Sequence, residues 1–132
     1  FCAPDSFLYA VKDAGFNVLL FANNHCMDKG KRGAMHTLDM LDSLQFAHCG
    51  VYRNAKERKE RYPLIIEKNG VRVALLNYTY STNGREIPAP MVVNSAKCNT
   101  FMRAKPAGMD MSCLTAGIRR PIRVEVLPCL TK

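Results

Sequence analysis

The sequence contains no Trp, and none of its three His residues lies beyond position 48. Any chemistry that needs an imidazole must therefore draw on His25, His36 or His48. Long apolar runs are missing as well. A helix needs about 20 consecutive apolar residues to cross a bilayer, and runs such as Val18 to Ala22 fall far short, so no membrane span is expected. Close cysteine pairs are absent too: Cys2, Cys26, Cys49, Cys98, Cys113 and Cys129 lie at least 15 residues apart. That spacing excludes a zinc knuckle or a redox dithiol and favours free thiols over a disulfide frame. The opening Phe1-Cys-Ala-Pro-Asp5 has no starting Met, no basic n-region and no apolar h-region. The chain is accordingly expected to carry no signal peptide of its own and to begin within a longer protein.

What is present is ordinary globular material. A length of 132 residues suffices for one domain or a piece of one, and a composition 48% hydrophobic and 23% charged excludes a disordered or repetitive chain. A net charge of +8 invites a nucleic-acid or anionic-surface reading, because clustered Lys and Arg neutralise phosphates and release counterions. The excess is uneven. Residues 1–94 hold 12 Lys and Arg against 9 Asp and Glu, while residues 95–132 hold 7 against 2. A small basic module whose tail contacts nucleic acid or anionic polymer is thus one functional class to keep in view.

Hydrophobic periodicity organises the first part of the chain. From Ala3-Pro4-Asp5 a helical pattern places Phe7, Leu8, Val11 and Ala14 at three- and four-residue steps, with Pro4 in the first turn and Gly15 as a stop. Asn17-Val-Leu-Leu-Phe-Ala22 is a continuous apolar run between turn-formers, the pattern of a strand buried on both faces in a parallel sheet. A second helix is predicted from about Lys31 to Gln45, with Met35, Leu38, Leu41 and Leu44 on one stripe. Phe46 to Gly50 reads as a short strand, and Asn54 to Arg61 as a charged helix or loop with a solvated face, ended by Pro63. Leu64 to Lys68 and Val71 to Tyr80 flank Asn69-Gly70, whose residues tolerate positive φ and close a type I′ hairpin. The class is therefore α/β with a mixed sheet. Beyond Asn94 no stripe is sustained, only a weak alternation at Ile122 to Val126, and no packed element is predicted. The division is residues 1–94 as a partial domain and residues 95–132 as an unmatched basic tail.

One constellation has chemical potential. Asn23-Asn24-His25-Cys26-Met27-Asp28 falls where a buried strand ends and a helix is about to begin, and open α/β sheets bind ligands at the carboxyl ends of their strands. Asn offers a neutral oxygen to a hard cation or phosphate, His a nitrogen ligand or proton donor, and Asp a charge to orient either. The same residues also serve as ordinary caps and turns. His36 and His48 have no Cys, His or carboxylate at metal-ligand spacing and are read as structural. Cys26 beside His25 is a poor nucleophile pair, since sequence neighbours seldom aim at each other. Gly30 and Gly33 lack the spacing of a phosphate-cradling loop.

The stretch Asn17-Val-Leu-Leu-Phe-Ala-Asn-Asn-His-Cys-Met-Asp-Lys-Gly30 resembles the CapA family of bacterial capsule (poly-γ-glutamate) synthesis proteins, which share the fold of calcineurin-like metallophosphoesterases. The likeness continues through Thr37-Leu-Asp-Met-Leu-Asp42, Gly50-Val-Tyr-Arg-Asn54, Glu67-Lys-Asn-Gly-Val-Arg-Val-Ala-Leu-Leu76, Asn77-Tyr-Thr-Tyr-Ser-Thr-Asn-Gly84 and Pro88 to Asn94. The resemblance implies a fragment of a metallophosphoesterase-like, mixed β-sheet sandwich. By it, Asn24 corresponds to a metal-ligating Asn and His25 to a catalytic partner that contacts phosphate or leaving group, with Asn23 and Asp28 supporting the loop. It further implies divalent metal ions (Mn, Fe, Zn or Mg) for the full-length family and an anionic polymer or phosphoester substrate. The cell-envelope capsule machinery is the implied setting, with no specific nucleic-acid partner. The sequence also departs from the family pattern. The family's upstream Gly-Asp and Asn-x-Glu motifs, its His-Trp-Gly motif and its late His-rich motif are all missing here. This chain is therefore expected to retain no metal and to be inactive, and the break near Asn94 is expected to mark a loss of reading frame.

Overall fold

The computed structural model describes residues 2–96, 125–126 and 129–131. They form a mixed α/β arrangement of three helices and several small sheets. The strands are β1 (Cys2–Pro4), β2 (Val18–Leu20), β3 (Ala47–Cys49), β4 (Val51–Tyr52), β5 (Leu64–Lys68), β6 (Val71–Leu75), β7 (Val92–Val93), β8 (Glu125–Val126) and β9 (Cys129–Thr131). The helices are α1 (Ser6–Asp13), α2 (Gly30–Ser43) and α3 (Ala55–Arg61).

β2 is the centre. It pairs in parallel with β3 on one side and β8 on the other, so its backbone is satisfied along both edges. Its apolar run is used on both faces, as a central parallel strand requires: Leu19 and Phe21 are fully buried and Val18 and Ala22 nearly so. α1 and α2 cover this core through Leu8 and Val11 from the first and Ala34, Leu38 and Leu41 from the second. Full burial of each Leu contributes about 1.5–3 kcal/mol, so this seam is the main source of stability. Met35 and Leu44, the outer members of the α2 stripe, pack at its margin.

Four sequence expectations are corrected. Pro4 does not open a helix; it ends β1, which pairs in parallel with β9, and α1 starts at Ser6. Among the described residues both strands of that ladder are edges, where a missing N–H is tolerated, and a pairing partner more than 100 residues away leaves no local trace. The second hairpin strand stops at Leu75 instead of reaching Tyr80. Asn69 (φ 53°) and Gly70 (φ 76°) do make the expected two-residue turn, in the register Lys68 to Val71. The hairpin, however, is a separate two-stranded sheet, and β4 and β7 form another antiparallel pair, so among the described residues the strands do not join into a single mixed sheet. Finally, β8 and β9 are short strands within a tail for which no packed element was expected. The weak alternation at 122–126 ends in β8; the rest of the tail lies outside the described residues.

The charged segment is helical, with the Asn54 side chain capping α3 by accepting from the Glu57 N–H at 2.9 Å. It buries no residue, as a solvated helix should. Two of its charges, Glu57 and Arg61, are nonetheless engaged. Arg53 reaches Asp39 (2.8 Å), Asp42 (2.7 Å) and Glu57 (2.8 Å), while Arg61 reaches Asp42 (3.1 Å) and Glu57 (3.3 Å). Burial pushes the Asp42 carboxyl up, but hydrogen bonds from His48, Arg61 and Arg53 outweigh it and bring it down to about 2.

Candidate functional site at the carboxyl end of the central strand

The backbone leaves β2 through Phe21 and Ala22 and turns sharply at Asn23. The Asn23 Oδ1 accepts from the His25 N–H at 2.8 Å, an Asx-type turn that mimics a backbone turn. Cys26 N–H then donates to Asn23 O (3.2 Å) and Asp28 N–H to His25 O (3.1 Å), so two successive turns lead into α2. This winding sorts the side chains. Cys26 and Met27 are fully buried in the core, whereas Asn24 is exposed and His25 and Asp28 are partly exposed at the rim. Cys26 and His25 therefore face different surroundings and make no nucleophile pair.

His25 Nδ1 lies 2.8 Å from Asp28 Oδ2. A carboxylate can only accept, so in the neutral imidazole the proton belongs on Nδ1 and the lone pair on Nε2. Asp28 thus does more than support the loop: it sets the tautomer and orientation of His25. Asn83 completes the rim from another segment. Its Oδ1 accepts from Asn24 Nδ2 at 3.4 Å and its Nδ2 lies 3.3 Å from His25 Nδ1. Asn83 and Gly84 both have positive φ (52° and 72°), the same device as Asn69-Gly70. This second tight turn was not predicted from the sequence, although the repeated Asn-Gly dipeptide is the signal that could have found it.

Beneath the rim lies a buried amide system. Ala22 N–H donates to Asn77 Oδ1 at 2.6 Å and Asn77 Nδ2 donates to Ala22 O at 3.0 Å, so one side chain pairs the strand end as a neighbouring strand would. Asn94 Nδ2 donates to Asn77 O (3.1 Å), and Arg58 Nε donates to Asn94 Oδ1 (2.6 Å), linking the arrangement to α3. Gly50, with φ 109°, passes directly alongside. A Cβ on Gly50 would lie 2.0 Å from Asn77 Oδ1 and 2.6 Å from Ala22 N, so only glycine fits. Asn77, Asn83 and Gly50 were not singled out as site residues from the sequence.

His36 and His48 lie away from the rim, and Cys49 sits beside the buried amide system. His36 Nε2 is 2.7 Å from Asp5 Oδ1, joining α2 to the start of α1. His48 is buried with Nε2 3.1 Å from Asp42 Oδ1, and burial lowers its pKa despite that carboxylate. Burial pushes the Cys49 thiol up to about 11, which removes it as a nucleophile. Cys2 and Cys49 are free thiols. Among the described residues, no group of three or more His, Cys, Asp or Glu gathers closely enough to hold a metal ion. In the same residues no helix is long and apolar enough to cross a membrane.

Comparison with known proteins gives the context. The family model described as "Bacterial capsule synthesis protein PGA_cap" matches residues 1–120, running past Asn94, where the motif resemblance stops. The "Capsule biosynthesis protein CapA" of Bacillus anthracis is 37% identical over 78 residues, covering 58% of this chain. The match spans 18% of that relative's length, so the whole relative is several times larger than the shared part. No solved structure matches the chain.

Proposed function

The chain belongs to the PGA_cap family of bacterial capsule synthesis proteins, and on that premise we propose that residues 23–28 are one corner of a divalent-cation site for phosphoester chemistry. In this reading the small sheets are pieces of a metallophosphoesterase-like sandwich. Asn24 supplies an amide oxygen to the cation, and His25 supplies Nε2 to the cation, the phosphoester or its leaving group. Asp28 and Asn23 hold the pair in place. The observation that carries the reading is the placement of Asn24 and His25 at the rim of β2, with His25 Nδ1 fixed 2.8 Å from Asp28. Strand ends of this kind are where open α/β sheets bind their ligands.

The donors fit such a site in kind but not in number. A hard divalent cation takes about six ligands, and Mn or Zn sites need at least three or four from protein. Here an amide oxygen and one imidazole stand without a further cluster among the described residues. These two donors alone support no catalytic step. The remaining donors, in this proposal, come from regions of the full-length relative that the alignment does not reach, and the isolated chain is inactive. An anionic capsule polymer or a phosphoester is the proposed substrate, and the capsule machinery of the cell envelope the proposed setting.

The basic binding module is not favoured. Arg53 and Arg61 are already neutralised by Asp39, Asp42 and Glu57, and the capsule-family match takes in the basic tail as far as residue 120. A titration with MnCl2 followed by histidine side-chain NMR tests the proposal. His25 signals should broaden at lower Mn2+ than those of His36 and His48, and Asn24→Ala should weaken the effect. Parallel broadening of all three would show that the rim has no special affinity for a cation.

A further inference from the structure

Asn77 is a buried polar residue between two exposed apolar neighbours in the chain. It is 7% exposed, and its neighbours Leu76 and Tyr78 face outward at 63% and 42%. An extended segment that buries its amide and exposes its apolar residues inverts the usual pattern. Both functional groups of that amide are spent on the backbone of Ala22, the residue immediately before the Asn23–Asp28 turn. Gly50 gives up a side chain to make room for them. The main-chain carbonyl of Asn77 is in turn held by Asn94, whose own Oδ1 is held by Arg58.

Without Asn77, the N–H and C=O of Ala22 would have to find other partners in a buried place. Rotating the Ala22 peptide toward them would swing Asn23 and with it the Asx turn that aims His25. We propose that Asn77 is a positioning residue for the candidate site: its side-chain amide fixes the point at which β2 ends, and thereby the orientation of Asn24 and His25. The inference rests on the reading of those two residues as a cation site, and it concerns the determinant of their geometry rather than their chemistry.

The test compares backbone amide protection factors in the wild-type chain, Asn77→Ala and Asn77→Asp. In Asn77→Ala, protection of amides 22–28 should fall at least tenfold, while that of amides 38–41 in α2 changes less than threefold. Asn77→Asp separates positioning from packing. A neutral carboxylic acid offers one acceptor and one donor, as the amide does, whereas the carboxylate only accepts and is disfavoured by burial. Loop protection in Asn77→Asp should therefore be near wild type at pH 5 and lost at pH 8. That contrast remains readable even where the Ala variant unfolds. Equal losses in both segments, or an Asp variant indifferent to pH, would overturn the proposal. The Mn2+ titration of the wild-type chain stands apart: its failure would remove the cation reading and leave the positioning result to be judged on the protection factors.

Discussion

Replacing Gly50 by Ala offers the most direct mechanical challenge to this arrangement. Gly50 has φ 109°, where an L side chain costs about 1–2 kcal/mol. The new methyl would sit 2.0 Å from Asn77 Oδ1 and 2.6 Å from the Ala22 nitrogen, and no rotamer relieves the backbone contact. If the Asn77 amide withdraws, the buried N–H and C=O of Ala22 each lose a partner, at about 1–3 kcal/mol apiece. Allowing for partial relaxation, the destabilisation is about 3–6 kcal/mol, a large share of the roughly 5–15 kcal/mol available to a small domain. At about 4 °C per kcal/mol the unfolding midpoint should drop roughly 10–25 °C. Urea denaturation followed by circular dichroism measures the free energy. A loss below about 1 kcal/mol with an unchanged slope would mean that Gly50 and Asn77 do not compete for the same space, and the buried amide system as described would be refuted.

Other consequences are simpler. The folded pKa of His48 is lowered by burial, so just below about pH 6.5 the unfolded chain binds more protons than the folded one. Stability should therefore decline as pH falls from 7 toward 5, and His48→Leu should flatten that decline in urea midpoints measured across the range. Asp42 acts at lower pH: held at about 2 against 3.8, it stabilises the fold above pH 4 and loses that contribution as pH drops toward 2, a loss that Asp42→Asn should abolish. Asn54→Ala removes the α3 cap and should cost about 1 kcal/mol, visible as reduced helicity and a lower urea midpoint, because α3 has no buried residue to hold it otherwise. Cys26 and Cys49 should resist alkylation in the native state at pH 8, with Cys2 modified before either by mass spectrometry; labelling of Cys49 as fast as Cys2 would contradict its burial.

How much of this was legible depends on how local each cause is. β2, α2 and the Asn69-Gly70 turn are written in short windows: five apolar residues in a row, a four-residue stripe, a dipeptide that accepts positive φ. The partners of β1 and β2 in the tail are not, because parallel pairing between residues more than 100 apart imposes no periodicity on either segment. Leu76 to Tyr80 misleads for a different reason. Its apolar and aromatic residues suggest a continuing strand, but Asn77 is drawn inward by the unpaired end of β2 and the ladder stops. At the site, Asn23, Asn24, His25 and Asp28 announce themselves as polar residues following a buried strand. Asn77, Gly50 and Asn94 do not, since a lone Asn or Gly in a loop has many uses and only the three-dimensional approach of Ala22 reveals this one.

The central claim is that Asn24 and His25 form one corner of a cation site at the rim of β2. Crystals of the chain soaked in MnCl2 and measured at the manganese absorption edge test it in a single difference map. With only two donors among the described residues, the account expects a weakly occupied anomalous peak, present at high MnCl2 and lost in metal-free buffer, within coordination distance of His25 Nε2 and the Asn24 side-chain oxygen. Peaks elsewhere, with none between these two side chains, would contradict it.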